Sequence, residues 1–424
     1  MTLKSIEITN FRCFDHLKVD LQPGLNVFVG VNGSGKTALL EAIRAGLGAF
    51  FTGFEYEDVE QFYLSEKDVR VEYRGVTKIE YRPVIVKCIA DVDDYPDISW
   101  VREFNKKTTS NKEHIGSIRG IAKRMALDMH NPMHYPHPVA FPTLFYFSTQ
   151  RLWVERKDFG SKADGNRFGG YFNSLNAKSA SHFFADWFER QERHEFQNAQ
   201  MGLGKDFSQL ELVRQIAVKC IPDCRRIYFD ALAEDLFLQF DNQNMPISLL
   251  SDGQKTLLLL CTGIALQCVL LNPHLGLEAA KKAKGVVLID EVDLHLHPAW
   301  QRRVLNDLMK VFPEIQFIVT THSPQVISRV PKQNVFILRE FKVESGRVFT
   351  EGRDSNSILY EVFGEEKRPI DFKEQLDEFY ELLENEKEQM AAAILKKLEA
   401  KWGHNDSEIV TASLYLNDLK NEIA

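Results

Sequence analysis

A glycine-rich stretch near the start of the chain has residue types and spacing that could hold phosphate groups. Residues 30–37 read G-V-N-G-S-G-K-T and fit the pattern G-x-x-x-x-G-K-[ST]. The apolar run 25–29 predicts a buried strand and the segment 37–47 predicts a helix, so backbone N–H groups and the positive end of a helix converge on this loop. We expect Lys36 to reach the β and γ oxygens of a bound triphosphate and Thr37 to ligate Mg²⁺. The residues expected to bind nucleotide here are Asn32, Gly33, Ser34, Gly35, Lys36 and Thr37.

An acidic pair later in the chain indicates what would happen to that triphosphate. Asp290 and Glu291 directly follow the apolar run 285–289, which predicts a second buried strand. The first carboxylate can hold Mg²⁺, and the second can orient and deprotonate an attacking water. We therefore expect hydrolysis of the γ-phosphate, with Asp290 as a metal ligand and Glu291 as the general base.

A histidine after a third strand completes this set. His322 follows the apolar run 317–320, and the segment 299–312 between the second and third strands predicts a helix. Strand, helix and strand in this order predict a parallel βαβ unit, whose functional residues lie at the carboxyl ends of its strands. We expect His322 to reach the γ-phosphate and sense its presence.

The turn before a strongly apolar helix is a further candidate for phosphate binding. Residues 249–254 read L-L-S-D-G-Q, and an apolar helix is predicted over 256–271. The hydroxyl of Ser251 and the N-terminus of this helix can donate hydrogen bonds to a triphosphate. The same turn also fits an ordinary helix N-cap, and the sequence leaves both interpretations open.

The elements that must position these residues belong to a chain of ordinary globular composition. It has 424 residues, 44% of them hydrophobic and 26% charged, which allows two or three domains. The net charge of −8 provides no overall basic surface for nonspecific binding of nucleic acid. Neither a membrane-spanning apolar run nor a signal peptide is evident, so we expect a cytoplasmic protein with no membrane partner. The glycine- and asparagine-containing segment 156–173 predicts a loop.

Two spacings raise the alternative of a bound transition metal. Cys220 and Cys224 lie four residues apart, and His295 and His297 lie two apart. Pro222 lies between the two cysteines, and no further ligand cluster accompanies either pair. We expect the six cysteines to be reduced thiols, because they are scattered and lack C-x-x-C pairs.

Together, these motifs resemble the ATP-binding-cassette (ABC) superfamily. The loop 30–37, the signature Leu250-Ser251-Asp252-Gly253-Gln254, the pair Asp290-Glu291 and the switch histidine His322 occur in the order found there. The resemblance implies an α/β fold, an ABC-type ATPase head with a mixed sheet and a P-loop. It also implies ATP and Mg²⁺ as cofactors and a homodimer or dimer-based oligomer. In such a dimer the signature of one subunit, with Ser251, Gly253 and Gln254, closes over the ATP held by the other.

Two further stretches resemble the RecF, SMC and OLD branch of this superfamily. Residues 6–12, I-E-I-T-N-F-R, resemble its opening I-x-N-F-R, and residues 290–298 resemble its D-E-x-x-x-H-L-H-P. By this resemblance Arg12 could touch the nucleotide, and Gln150 is the candidate for the Mg²⁺-contacting glutamine of the Q-loop. His297 then belongs to the D-loop rather than to a metal site.

Two departures from the transporter pattern leave the strength of dimer closure open. Asp252 replaces the first glycine of the signature, and His297 replaces the D-loop aspartate. Short inserted segments are expected in place of coiled-coil arms, because no heptad pattern is sustained between 50 and 250. The C-terminal composition predicts a helical hairpin of two or three helices.

The same resemblance divides the chain into five regions. They are an N-terminal ATPase lobe with the P-loop (1–50), a β-rich and irregular insertion (51–143), a Q-loop and helical lobe (144–245), a lobe with the signature, Walker B and switch histidine (246–345), and a C-terminal helical partner-docking region (346–424).

The C-terminal part, with D-S-N-S-I-L at 354–359, Phe363-Gly364, Arg368-Pro369 and the helical hairpin, resembles the PtuA ATPases of Septu and retron antiphage defence systems. Those ATPases work with a separate HNH nuclease, and no nuclease motif follows residue 340 here. The resemblance implies an ATP-gated dimeric switch with an HNH-type nuclease subunit supplied in trans and nucleic acid as a further candidate partner. The alternative is a RecF/SMC-like DNA-repair ATPase that binds DNA directly under ATP control. A transporter motor is disfavoured by the nonstandard signature and the I-x-N-F-R opening.

Overall fold

The computed structural model describes residues 1–56, 59, 61–105, 114–129, 138–150, 167–176, 181–204, 206–346, 348–365 and 368–423. The chain divides into two compact units, Met1–Arg353 and Asp354–Ala424. The finer subdivision of the first unit stays a prediction.

The strands all belong to the first unit. They are β1 (Thr2–Phe11), β2 (Phe14–Asp20), β3 (Leu25–Val29), β4 (Arg70–Arg74), β5 (Thr77–Tyr81), β6 (Val84–Val92), β7 (Tyr95–Phe104), β8 (Thr143–Phe147), β9 (Cys224–Asp230), β10 (Asp235–Phe240), β11 (Asn244–Pro246), β12 (Gly285–Ile289), β13 (Ile315–Thr321), β14 (Val335–Arg339) and β15 (Lys342–Ser345).

The α-helices occur in both units. They are α1 (Lys36–Leu47), α2 (Gly116–Met129), α3 (Ser181–Met201), α4 (Ser208–Cys220), α5 (Asp252–Leu271), α6 (Ala279–Lys282), α7 (Pro298–Gln301), α8 (Val304–Val311), α9 (Pro324–Ile327), α10 (Ser355–Ile358), α11 (Ile370–Glu384), α12 (Glu388–Trp402) and α13 (Ser407–Ile423).

A six-stranded mixed sheet forms the centre of the first unit, in the order β15-β14-β3-β13-β12-β8. The pairs from β14 to β8 are parallel and β15 is antiparallel to β14. Every residue of β3, β8, β12 and β13 is buried. Continuous apolar runs are typical of parallel strands covered on both faces, and the strands predicted from those runs are confirmed.

A second, antiparallel sheet of four strands, β2-β1-β6-β7, lies on the other side of α1. Strand β6 alternates buried and half-buried residues, as expected for a sheet with one face in the core. Helix α1 contacts strands of both sheets and buries Leu39, Leu40, Ile43 and Leu47 between them. This packing fixes the start of α1 directly after the loop that leaves β3.

Helix α5 packs against α4 and β8, and most of its residues are buried. Among the described residues it is the one helix long and apolar enough to span a membrane, and 83% of its most apolar window is buried inside the protein. Two smaller antiparallel sheets, β11-β10-β9 and β4-β5, complete the strands of the first unit.

Two predicted segments differ from the structure. The helix expected over 299–312 is two helices, α7 and α8, because a turn at Arg302–Arg303 interrupts it. Of the loop expected over 156–173, residues 156–166 lie outside the described residues, whereas Arg167–Tyr171 form a buried 3₁₀ turn that packs against α5.

The second unit is helical, with α11, α12 and α13 around a core of their own. Its buried apolar residues are Phe372, Phe379, Leu383, Ala391, Ile394, Leu395, Leu398, Ile409, Ala412 and Leu416. The expected C-terminal helices are therefore present. The longest helix of the described residues is α3, with 21 residues, and the described chain has no coiled-coil arms.

Candidate active site

Four neighbouring strands end at one edge of the mixed sheet, where the predicted site residues follow them. Val29 of β3 pairs with Thr321 of β13, and Ile289 of β12 pairs with both Val319 of β13 and Phe147 of β8. Because these strands are parallel, their carboxyl ends meet at the same edge. The P-loop, the acidic pair, His322 and the segment with Gln150 therefore all start from this edge.

The P-loop has backbone conformations that favour glycine. Gly33 has φ 79° and Gly35 has φ 100°, both in the left-handed region. A Cβ atom at Gly30 would lie 2.5 Å from the carbonyl oxygen of Leu338. The glycines of the motif are thus needed for the loop to turn and to pass close to β14. Asn32 is exposed on this loop, and Ser34 is buried within it.

Lys36 is the first residue of α1, and its side chain is buried beneath the loop. Its Nζ donates to the carbonyl oxygens of Gly30 at 2.9 Å and Val31 at 3.0 Å. Burial lowers the pKa of Lys36 to about 8, although the nearby carboxylates of Glu291, Asp290 and Asp293 act in the opposite direction. The ammonium group is protonated at neutral pH and is available to a phosphate oxygen.

The structure brings together Thr37 and Asp290, which are 253 residues apart in the chain. Thr37 Oγ1 donates to Asp290 Oδ2 at 2.9 Å, and Asp290 is 1% exposed. A hydroxyl and a carboxylate at this distance are the oxygen ligands that Mg²⁺ takes from proteins when phosphates supply the others. The donor set therefore fits the metal ion expected from the sequence.

Glu291 and His322 lie beside this pair. Glu291 is partly exposed and has φ 49°, an uncommon backbone conformation for a residue other than glycine. Burial lowers the pKa of His322, and the positive charge of Lys36 lowers it further, whereas the carboxylates of Glu291, Asp293 and Asp290 oppose this shift. The uncharged form of the imidazole is thereby favoured, and the ring lies close to both the lysine and the acidic pair.

The signature turn caps α5. Ser251 Oγ accepts from the N–H of Gln254 at 3.3 Å, and Gln254 Oε1 accepts from the N–H of Ser251 at 3.1 Å. This reciprocal pair is a capping box, so the N-cap interpretation describes the isolated chain. The side chains of Ser251 and Gln254 bond to each other rather than to the P-loop of the same chain, and Ser251 is exposed.

Gly253 brings the start of α5 against the segment that follows the acidic pair. A Cβ atom at Gly253 would lie 2.7 Å from the carbonyl oxygen of His295. His297 caps α7, with Nδ1 accepting from the N–H of Ala299 at 3.3 Å. Within the described part of the chain no group of three or more His, Cys, Asp or Glu side chains could hold a metal ion. All six cysteines have free thiols, as expected.

Arg12 and Gln150 line a common cavity of about 340 Å³. The guanidinium of Arg12 donates to Asp68 Oδ1 through Nη2 at 2.9 Å and lies 3.7 Å from Glu41. Neither Lys36 nor Thr37 is among the residues around it, which are Arg12, Glu41, Arg44, Ala45, Gln61, Phe62, Tyr63, Lys67, Asp68, Gln150 and Asn176. Glu41 lies one turn along α1 from Thr37, so the cavity is beyond the first turn of this helix.

Sequence reasoning missed polar residues that hold the site together. Thr320 bonds to both members of the acidic pair, and Thr321 Oγ1 donates to Asp293 Oδ1. Gln301 links two segments, since its Nε2 donates to the carbonyl of Leu296 at 2.9 Å and its Oε1 accepts from Ser323 Oγ at 2.8 Å. Two threonines in the otherwise apolar end of β13 were the sequence signal that could have indicated this role.

Comparisons with known proteins show what this chain is similar to. The model of the family described as "AAA domain, putative AbiEii toxin, Type IV TA system" matches residues 25–328, a span that includes the P-loop, the acidic pair and His322. Retron Ec83 probable ATPase of Escherichia coli is 24% identical, over 98% of this chain and 86% of that protein. Septu protein PtuA of Bacillus thuringiensis is 24% identical, over 94% of this chain and 93% of that protein. An SMC head solved in complex with the C-winged helix domain of ScpA covers 81% of this chain and 98% of its own, with 16% identity and a TM-score of 0.44.

Proposed function

The chain belongs to the family described as "AAA domain, putative AbiEii toxin, Type IV TA system" and is an ABC-type ATP hydrolase, and from this premise we propose a Mg²⁺-dependent, ATP-gated dimeric switch in antiphage defence. The switch would control a separate HNH-type nuclease subunit in the cytoplasm. The observation that carries the catalytic part of this proposal is the bond between Thr37 and Asp290, because it joins the P-loop to the acidic pair.

The chain's own residues would divide the work of hydrolysis. Lys36 would exchange its bonds to the loop carbonyls for bonds to phosphate oxygens, and the backbone N–H groups of residues 33–37 would bind the remaining oxygens. Thr37 and Asp290 would hold Mg²⁺, which neutralises charge on the β- and γ-phosphates. Glu291 would orient a water molecule and accept its proton, while His322 would donate a hydrogen bond to the γ-phosphate.

The exposure of the signature turn supports the proposed dimerisation. Ser251 lies at the solvent-exposed start of α5, and among the described residues its hydroxyl bonds within its own turn. A second copy presenting a bound triphosphate would meet this hydroxyl and the positive end of a 20-residue helix. Each subunit would thus complete the nucleotide site of the other, with Gly253 and Gln254 at the same turn.

The defence role is proposed from the relatives. Retron and Septu proteins match this chain over nearly its whole length, and the second unit is a small helical bundle with its own core. We assign this unit, with the preceding residues from 346, to partner docking. The nuclease would then be a separate chain, with nucleic acid as the target of the assembled complex.

Two substitutions test the catalytic proposal. Lys36→Ala should abolish ATP hydrolysis by removing the phosphate-binding cation. Glu291→Gln should keep ATP bound and accumulate the dimer, with turnover lower by roughly 10²- to 10³-fold. Steady-state phosphate release and light scattering with ATP measure the two effects. Wild-type turnover in Glu291→Gln would remove the general-base assignment.

A copurification experiment tests the choice of partner. The protein expressed with its genomic neighbours should retain an HNH-type nuclease, and nucleolytic activity should depend on ATP. If the isolated protein instead binds duplex DNA strongly, with an affinity that falls steeply as salt rises, the RecF/SMC-like alternative is favoured.

A further inference from the structure

We propose that Thr320 is a positioning residue of the ATPase site, which sets the orientation of both Asp290 and Glu291. The inference rests on the proposed function, because it concerns how the metal-binding carboxylate and the general base are held. Thr320 lies near the carboxyl end of β13, next to the end of β12 in the parallel sheet.

One threonine bonds to three consecutive residues of the segment that leaves β12. Its Oγ1 donates to Asp290 Oδ1 at 2.6 Å and accepts from the N–H of Glu291 at 2.7 Å. Its carbonyl oxygen accepts from the N–H of Val292 at 2.9 Å. Thr320 is 0% exposed, and its bond to Asp290 is made away from solvent, whereas its bond to Glu291 is partly buried.

The first bond selects an orientation for the Asp290 carboxylate. The terminal torsion of an aspartate is broad and roughly twofold, so it needs contacts to define its plane. Thr320 holds Oδ1, and the opposite oxygen, Oδ2, then accepts from Thr37 Oγ1 at 2.9 Å. Hydrogen bonds behind a ligating carboxylate commonly orient it toward its metal ion. Thr320 therefore directs Oδ2 of Asp290 to the proposed Mg²⁺ position.

The second bond fixes the backbone from which the general base projects. Glu291 has φ 49°, a left-handed conformation that costs energy for a residue with a side chain. The partly buried bond from its N–H to Thr320 Oγ1 stabilises this conformation. The direction of the Glu291 side chain is thereby tied to the same hydroxyl that holds Asp290.

Packing alone does not explain a hydroxyl at this position. All seven residues of β13 are buried, and a valine has nearly the same shape as a threonine. A buried hydroxyl that donates one hydrogen bond and accepts another stabilises the fold only when both of its partner groups depend on it for a hydrogen bond. By contrast, Thr262 is equally buried but donates within its own helix, to the carbonyl of Leu258 at 2.7 Å. Thr262 therefore offers a matched control.

The test compares Thr320→Val, Thr320→Ser and Thr262→Val in the full chain. The dissociation constant of a fluorescent ATP analogue is measured in excess Mg²⁺ and in excess EDTA, and kcat is measured separately. In Thr320→Val we expect the affinity gained from Mg²⁺ and the value of kcat each to fall roughly 10- to 100-fold, with the affinity in EDTA unchanged. Thr320→Ser keeps the hydroxyl and should restore both quantities toward wild type.

The control and a second variant keep the result decisive. Thr262→Val should leave the Mg²⁺ dependence and kcat unchanged. This control separates the effect of losing any buried hydroxyl from the effect of losing the hydroxyl of Thr320. If Thr320→Val does not fold, as judged by circular dichroism, Thr320→Cys retains a weak donor and should show the same losses in smaller degree. A folded Thr320 variant without a hydroxyl that keeps the wild-type Mg²⁺ gain and kcat overturns the inference. Failure of the wild-type protein to bind ATP more tightly with Mg²⁺ would instead contradict the proposed function.

Discussion

Two glycines of the P-loop share a left-handed backbone but differ in what surrounds them. A Cβ atom at Gly33 would have no neighbour within 4 Å, whereas one at Gly35 would lie 2.8 Å from the ring of Phe14 and 3.0 Å from the thiol of Cys13. We expect Gly33→Ala to lower the free energy of unfolding by about 1–2 kcal/mol, from backbone strain alone. Gly35→Ala should lower it by about 2–5 kcal/mol, because overpacking against the buried Phe14 is added. Denaturant unfolding of the nucleotide-free protein measures both, and equal losses would contradict the role of Phe14.

The residues of the site differ in how far the sequence could predict them. The P-loop and the acidic pair were accessible, because each motif directly follows an apolar strand that reads clearly. The role of Thr320 was only partly accessible. Two threonines at the end of an apolar strand mark the position, but their partners depend on the register between β12 and β13, which no local pattern specifies. The position of Arg12 depends in the same way on its pairing with Asp68, which is 56 residues away in the chain.

The start of α5 is held against the loop that follows the acidic pair. Gly253→Ala should push the two apart, because the added Cβ would lie 2.7 Å from the carbonyl of His295. Under the proposed dimeric mechanism we expect ATP hydrolysis and ATP-dependent dimerisation to fall, with turnover lower by up to about 10²-fold. Binding of ATP by the P-loop of the single chain should persist, as measured with a fluorescent analogue.

The same helix provides the control for that substitution. Gly263 lies in the middle of α5, and a Cβ atom there would lie 3.4 Å from the ring of Phe147, an ordinary contact distance. Gly263→Ala should keep activity and stabilise the helix by about 0.5–1 kcal/mol. If both variants dimerise and hydrolyse ATP like wild type, the contact at His295 has no part in catalysis.

Elements formed from strongly periodic or continuous apolar sequence were predicted well, and those shaped by distant contacts were not. The turn at Arg167–Tyr171 contains two glycines and reads as a loop, yet its backbone is bound by a buried side chain of α5. Gln267 Nε2 donates to the carbonyls of Gly170 and Leu144, both at 2.9 Å. A polar residue within an apolar helix gave no indication of which segment it would bind.

The division of the chain after Arg353 predicts two units that unfold separately. Phe379 is 0% exposed in the core of the second unit, where it packs edge to face on Tyr380. Phe379→Ala should remove about 3–5 kcal/mol, which is most of the stability expected for a helical unit of this size. Hydrogen exchange should then become fast across α11, α12 and α13, while β3, β12 and β13 stay protected.

Leu414→Ala, at a side chain that is 59% exposed on α13, should leave exchange unchanged in both units. If Phe379→Ala also lost protection in the mixed sheet, the two units would unfold as one. The core that contains Phe379 is confined to residues 372–416, so disrupting that core alone would not expose the amides of the mixed sheet.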